Sequence, residues 1–276
     1  MILKIILILI LAIFLCKNAV SEFFYLRTFE EKTTGFLSED LEAFLSLPLS
    51  FLGIGSQCIA FSTENSPYVL KICKANRYQP LFIIDNPIVS FLFPSYLQQQ
   101  KDKKTKRKQK DFQSYTLAKQ HLSEQCGILY LHLDKTTSLN AKIKIQEPFL
   151  GISLSLQRDD LCFYIQKKAT PFASHLLHLL HEEKNEELYT LFSKLTELFT
   201  NSCEKGLWIK DTHFQKNMGI CKELPFWIDP GKVRPAPTLR FPQQKKERLD
   251  RFQQKLRSFI FTLDPRLEQF LTGAPS

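Results

Sequence analysis

Four short segments between residues 128 and 168, ILYLHLD, AKIKIQEPF, ISLSLQ and LCFYIQKK, are rich in apolar, strand-favouring side chains, and several alternate apolar with polar. That period of two predicts β-strands. From Pro171 the period changes. FASHLLHLLHEE and NEELYTLFSKLTELFTNSCEKG place apolar residues three and four apart, which predicts helices. No other feature constrains the fold as much. Strands come first and helices later, which argues against a repeating βαβ order. It predicts an α+β chain in two lobes, β-rich over residues 22–168 and mainly helical over residues 169–276.

The flanking segments extend this reading. SEDLEAFLSLPLSFL, residues 38–52, predicts a short helix capped by Ser38 and then an extended segment. FLGIGSQCIAFSTENSPYVLKICK, residues 51–74, predicts two or three strands broken by Gly53, Gly55 and a TENSP turn. Residues 81–98 are apolar and interrupted by proline, which predicts irregular structure. DFQSYTLAKQHLSEQCG, residues 111–127, predicts a helix. Asp111 caps it, Phe112, Tyr115, Ala118 and Leu122 form its stripe, and Gly127 ends it. A last helical region covers residues 244–272.

The formal charge of +9 looks like that of a nucleic-acid-binding chain. Its distribution says otherwise. KDKKTKRKQK, residues 101–110, holds seven basic residues and one acid, so it supplies +6 of the +9. A local run of this kind predicts a solvated loop, with an anionic membrane surface as the partner it would suit. It lacks the aromatic interleaving of a single-strand binder, and no nucleic acid is expected. The seven cysteines include no CxxC pair, so a zinc site of the usual spacing is not expected. His175, His178 and His181 recur every third residue and drift around a helix, which reads as a polar face.

At the N-terminus, Lys4 precedes eleven unbroken apolar residues, Ile5 to Leu15, and Ala19-Val20-Ser21 follows. Residues 1–21 read as a secretory signal peptide or an uncleaved signal anchor, with a buried core helix as the bland alternative. The expected location is therefore at a membrane through this segment, or outside the cytoplasm.

Four pieces carry the chemistry. LGIGSQCIAF offers a Gly-x-Gly turn whose amides can approach a phosphate, or a plain β-turn. Lys71 sits in the apolar strand YVLKICK, either at a sheet edge or as a buried cation with a partner such as phosphate. Asp211 and Asn217 lie on one loop after a helix. Asp229 follows Asn217 by twelve residues, across MGICKELPFWI. A hairpin of that length brings Asn217 and Asp229 together. An amide oxygen and a carboxylate suit magnesium carrying nucleotide phosphates.

Taken in order, these pieces resemble the protein-kinase-like fold family, and within it kinase-like proteins of chlamydia-type bacteria. The resemblance covers roughly residues 45–235. It implies a two-lobed kinase-like fold with a reduced C-terminal lobe, preceded by an apolar N-terminal helix. It implies that Lys71 contacts the α and β phosphates of ATP and that amides near Gly53 and Gly55 cover them. Gln166 to Lys168 line the adenine edge through main-chain bonds. Asn217 and Asp229 hold magnesium, and Asp211 orients or deprotonates an acceptor hydroxyl.

The sequence also departs from that pattern. Asp211 and Asn217 are separated by five residues, one more than usual, and Ile209 stands where histidine or tyrosine is usual. Pro230 fixes φ within the Asp-x-Gly turn. Glu124 is the only acid inside the helix expected over residues 111–125. In the 45 residues after Gly231 no activation segment or peptide-docking helical lobe is recognisable, and neither is expected. The function expected is ATP-magnesium binding with phosphate transfer to an acceptor hydroxyl. The alternative is an inactive pseudokinase that binds a protein partner at a membrane.

Overall fold

Acidic residues in its first turn and a buried Leu41, Phe44 and Leu45 make a short helix, α1 (Glu39–Ser46). Ser38 precedes it in extended conformation without a side-chain cap bond. The computed structural model describes residues 24, 37–79, 91–133, 135–137, 139–146 and 153–271. The expected leader, residues 1–21, lies outside them. Among the described residues, no helix is long and apolar enough to cross a membrane.

Three strands follow α1. These are β1 (Ser50–Ile54), β2 (Cys58–Ser62) and β3 (Tyr68–Cys73), paired antiparallel. A short helix, α2 (Ala75–Tyr78), leads to a long one, α3 (Pro94–His121), and a single turn, α4 (Ser123–Cys126). Then come β4 (Ile128–His132), β5 (Lys142–Gln146), β6 (Ser153–Gln157) and β7 (Phe163–Lys167), the four strands expected over residues 128–168. One sheet has the order β1-β2-β3-β7-β4, and β5 and β6 form a separate hairpin. The remaining strands and α-helices among the described residues are β8 (Thr170–Pro171), α5 (Phe172–His181), α6 (Asn185–Glu204), β9 (Leu207–Ile209), α7 (Phe214–Asn217), β10 (Met218–Cys221), β11 (Leu224–Trp227), β12 (Val233–Pro235) and α8 (Pro242–Leu263).

The chain divides into two units. The first is Met1–Phe112 with Tyr130–Ile165, and the second is Gln113–Leu129 with Gln166–Ser276. The boundary crosses the chain inside α3, β4 and β7.

The basic run is not a loop. It lies inside α3, which begins at Pro94, well before the helix start expected at Asp111. Seven cations on adjacent turns repel one another, but Lys104 and Lys108 have partners within the first unit. Gln98 donates to Asp102 at 2.8 Å, Lys104 Nζ donates to the Asn76 carbonyl, and Lys108 lies 5.6 Å from the Phe112 ring centroid. Asp111 is therefore interior to the helix and caps nothing. It is buried and accepts from Arg77 Nε at 2.9 Å and Tyr78 Oη at 3.3 Å. Gly127, with φ of +54°, ends α4 in the left-handed region that glycine tolerates best.

A buried histidine marks the first unit. His132 is fully buried, with Nδ1 2.7 Å from the Leu161 carbonyl and Nε2 3.1 Å from Thr136 Oγ1. Burial pushes its pKa below the ordinary value, against the pull of the Leu161 carbonyl and the Asp159 charge. The sign follows directly. Below about pH 6.5 the unfolded chain takes up a proton that the folded chain refuses, so stability falls with falling pH. Urea unfolding at about pH 7.5 and 5.5 is expected to show this loss, and to show a smaller loss in His132→Gln. An equal loss in both proteins would refute the assignment.

The second unit is held by stacked aromatics. Phe214 lies 5.3 Å from Phe252, 5.4 Å from Phe259 and 6.3 Å from Phe172, and Phe199 stacks on Phe252 at 4.3 Å. Such pairs add about 0.5–1.5 kcal/mol each beyond the area they bury.

Candidate phosphate and metal site

Two antiparallel ladders clamp the loop that carries the candidate residues. In one, Ile209 of β9 faces Val233 of β12. In the other, Met218 of β10 faces Trp227 of β11. Between the ladders, residues 210–217 run opposite residues 228–232. Two main-chain bonds close the frame: Lys210 N to Lys232 O at 3.1 Å, and Ile228 N to Asn217 O at 2.8 Å. Asp211, Asn217 and Asp229 are thus brought onto facing segments of the second unit. The hairpin expected between Asn217 and Asp229 is β10–β11.

Each side chain has a defined tether. Asn217 is buried and its Nδ2 donates to the Asp211 carbonyl at 3.3 Å, which leaves Oδ1 as the amide's candidate ion ligand. Asp229 is half-buried, and its Oδ1 accepts from Gly231 N at 3.2 Å, an Asx turn that sets the following glycine. The Asp211 carboxylate pairs with Lys232 Nζ, both side chains being about half-exposed. An ion pair with that exposure contributes about 0–1 kcal/mol, so it orients Asp211 more than it stabilises the fold. The extra residue between Asp211 and Asn217 is absorbed by the single turn α7, closed by Asn217 N to His213 O at 2.8 Å.

Three residues of this frame carry no signal in the motif reading. Phe214 anchors the loop midway by its aromatic stack. Lys232 meets Asp211. Ser114, fully buried in α3, donates Oγ to the Pro230 carbonyl at 2.6 Å and accepts from Val233 N at 2.6 Å. It thereby fixes both sides of Gly231. Lys232 follows the Asp-Pro-Gly turn directly, so sequence proximity could have raised it. Phe214 lies within the candidate loop. Ser114 stands more than a hundred residues away and only the fold reveals it.

Gln166 has a structural task for its side chain. It is buried, and Nε2 donates to Cys126 O at 2.6 Å and Trp227 O at 3.0 Å. The adenine contact expected of residues 166–168 is through the main chain. Lys168 is half-buried beyond the end of β7.

The first unit holds the other candidates. Lys71 lies on β3, flanked by β2 and β7, so it is no edge residue. It is 8% exposed, with its ammonium 5.6 Å from the Tyr164 ring centroid. Gly53 belongs to β1, where the register with β2 shifts between Phe51 and Gly53. A Cβ at Gly53 would meet nothing within 4 Å, and one at Gly55 would lie an ordinary 3.5 Å from the Cys58 carbonyl. Packing alone therefore demands glycine at neither position.

Glu124, the one acid inside the helix expected over residues 111–125, is exposed on the terminal turn α4. No group of three or more His, Cys, Asp or Glu residues that could hold a metal occurs among the described residues. A cleft of about 1200 Å³ lies elsewhere in the second unit, between α6 and α8, lined by Tyr189, Lys194, Arg257 and Phe270 among others. It includes none of the candidate residues.

No protein-family model matches the chain, and no curated protein matches it. Solved structures of WbdD, a bifunctional kinase-methyltransferase, are similar to it. A crystal structure of WbdD at 2.2 Å is 12% identical, with a TM-score of 0.36, over 82% of this chain and 46% of that one. A medium-resolution structure is 13% identical, with a TM-score of 0.35, over 80% and 43%. A co-crystal of WbdD with the kinase inhibitor LY294002 is 13% identical, with a TM-score of 0.35, over 82% and 46%. The chain thus spans less than half the length of these neighbours. The functional reading rests on its own residues.

Proposed function

We propose that the chain is a kinase-like protein whose second unit binds the magnesium-phosphate end of ATP. The observation that carries this is the clamped frame of two ladders that brings Asp211, Asn217 and Asp229 onto facing segments. The donor set fits magnesium. One carboxylate and one amide oxygen are few ligands, and magnesium characteristically keeps several waters and substrate phosphates in its shell. When bound, the ion would neutralise charge on the transferring phosphate.

The roles then follow. Asn217 Oδ1 and Asp229 hold the ion, and the Asp229–Gly231 turn keeps that carboxylate in place. Asp211 lies on the same frame and orients or deprotonates an acceptor hydroxyl, with Lys232 restricting its rotamers. The kinase-like resemblance would give Lys71 and the amides near Gly53 and Gly55, in the first unit, a phosphate contact, and the main chain of residues 166–168, in the second unit, an adenine contact. Thermal unfolding of the full chain with ATP and magnesium tests this. A rise in Tm with ligand at about millimolar concentration is expected from linkage. The rise should shrink in Asn217→Ala and Asp229→Ala, and no rise would sink the proposal.

One observation favours a second reading, a nucleotide-binding pseudokinase that serves as a scaffold. The Asp211 carboxylate already has a cation, Lys232, on the facing segment. Under that reading the nucleotide shift persists and no phosphate transfer occurs. Transfer to any hydroxyl acceptor that disappears in Asp211→Ala would rule it out.

A further inference from the structure

We propose that Cys58 and Cys73 form a reversible cross-strand disulfide, a peroxide-responsive modification site in the first unit. The two cysteines face each other across the β2–β3 ladder. The main chain of each points away from the other: Gly55 N donates to Cys58 O at 2.8 Å, and Cys73 N donates to Cys162 O at 2.8 Å. The next pair outward, Lys74 N to Gln57 O at 2.9 Å, is bonded. Cys58 and Cys73 are therefore a non-hydrogen-bonded pair, whose Cα atoms approach to about 4.5 Å. That separation lies within the range a disulfide spans. The sulfurs are 3.6 Å apart, on the same side of the ladder and both buried.

The surroundings assign an order of events. Cys58 is 8% exposed, whereas Cys73 is 1% and Cys162 0%. A hydrogen bond shared with Cys162, and burial after it, holds the Cys73 thiol well above its usual pKa, although its contact with Cys58 pulls the other way. Cys58 therefore meets the oxidant first. Its sulfur attacks one oxygen of hydrogen peroxide, the O–O bond breaks, and water leaves with the thiol proton. The Cys73 sulfur then displaces hydroxide from the Cys58 sulfenic acid, and its own proton completes a second water. Two thiols lose two electrons and two protons in all, and one peroxide becomes two waters.

The site bears on Lys71. On β3, Lys71 precedes Cys73 by two positions, so strand alternation puts both on one face, with Ala60 opposite Lys71 and Cys58 opposite Cys73. Any effect of the crosslink on phosphate binding rests on the function proposed for Lys71. The crosslink itself does not.

The test uses the full chain, reduced and then exposed to hydrogen peroxide, alkylated and mapped without reduction. Expected are an intact mass lower by two hydrogens, a linked peptide pair holding Cys58 and Cys73, and reversal by dithiothreitol. Cys58→Ser and Cys73→Ala should each abolish the link, and Cys203→Ser should keep it. Recovery of Cys58 and Cys73 as alkylated thiols, or a Cys73–Cys162 bond in their place, would overturn the proposal whatever the variants do. A crosslink formed in a protein that shows no nucleotide shift would leave this inference standing and remove only the function proposed for Lys71.

Discussion

A Gly219→Val chain is expected to lose about 3 kcal/mol of stability or more in urea unfolding, because its second unit cannot make room. A Cβ at this position would lie 2.7 Å from the Thr170 carbonyl oxygen, 2.7 Å from Ile228 Cδ1 and 2.9 Å from Ala169 Cβ. Ile228 can rotate away. The Thr170 carbonyl cannot, because β8 is paired to β10 at Gly219 and Ile220. The strain falls next to Asn217, so the nucleotide shift should disappear with the stability. Gly53→Ala is the control, since a Cβ there meets nothing within 4 Å. It should change stability by no more than about 0.5 kcal/mol. Equal costs for the two variants would refute the packing of β8 on β10.

The second large effect is expected from Ser114→Ala. The hydroxyl satisfies two buried main-chain groups, Pro230 O and Val233 N. Removing it leaves the carbonyl and the amide only each other, at 3.3 Å. Two hydrogen bonds are lost, at about 0.5–1.5 kcal/mol each, so a loss near 2 kcal/mol is expected in urea unfolding. The turn that carries Asp229 also loosens. The magnesium-dependent part of the nucleotide shift should therefore fall more than the magnesium-independent part. A uniform fall in both would mean that Ser114 supports the unit and does not position Asp229.

Much of the local structure is legible in the chain because it is written at short range. The four strands between residues 128 and 167 follow from short apolar runs, alternating most clearly in β5, and α5 and α6 from apolar residues three and four apart. Hairpin β10–β11 follows from the spacing of Asn217 and Asp229. The basic run is the instructive failure. Seven cations in ten residues have no reason of their own to stay helical, and composition reads them as a loop. They form part of α3, in which Gln98 bonds Asp102 and Lys108 meets the Phe112 ring four residues on, while the Asn76 carbonyl holds Lys104 from outside the helix. Asp111 fails for the same reason. An aspartate before an apolar stripe reads as a cap, yet Arg77 and Tyr78, more than thirty residues earlier, hold it inside the helix.

The sequence by itself determined which residue types could do chemistry and where the strand-type and helix-type segments lie. Periodicity and turn residues are local properties, set by backbone sterics over a few positions. Only the tertiary structure decided what those residues meet. It placed Lys232 on Asp211, closed the Asp-Pro-Gly turn with Ser114, committed the Gln166 side chain to Cys126 and Trp227, and set Cys58 against Cys73. Each of these contacts joins positions from fifteen to more than a hundred residues apart. Register and packing fix such contacts, and no local pattern in the chain encodes either.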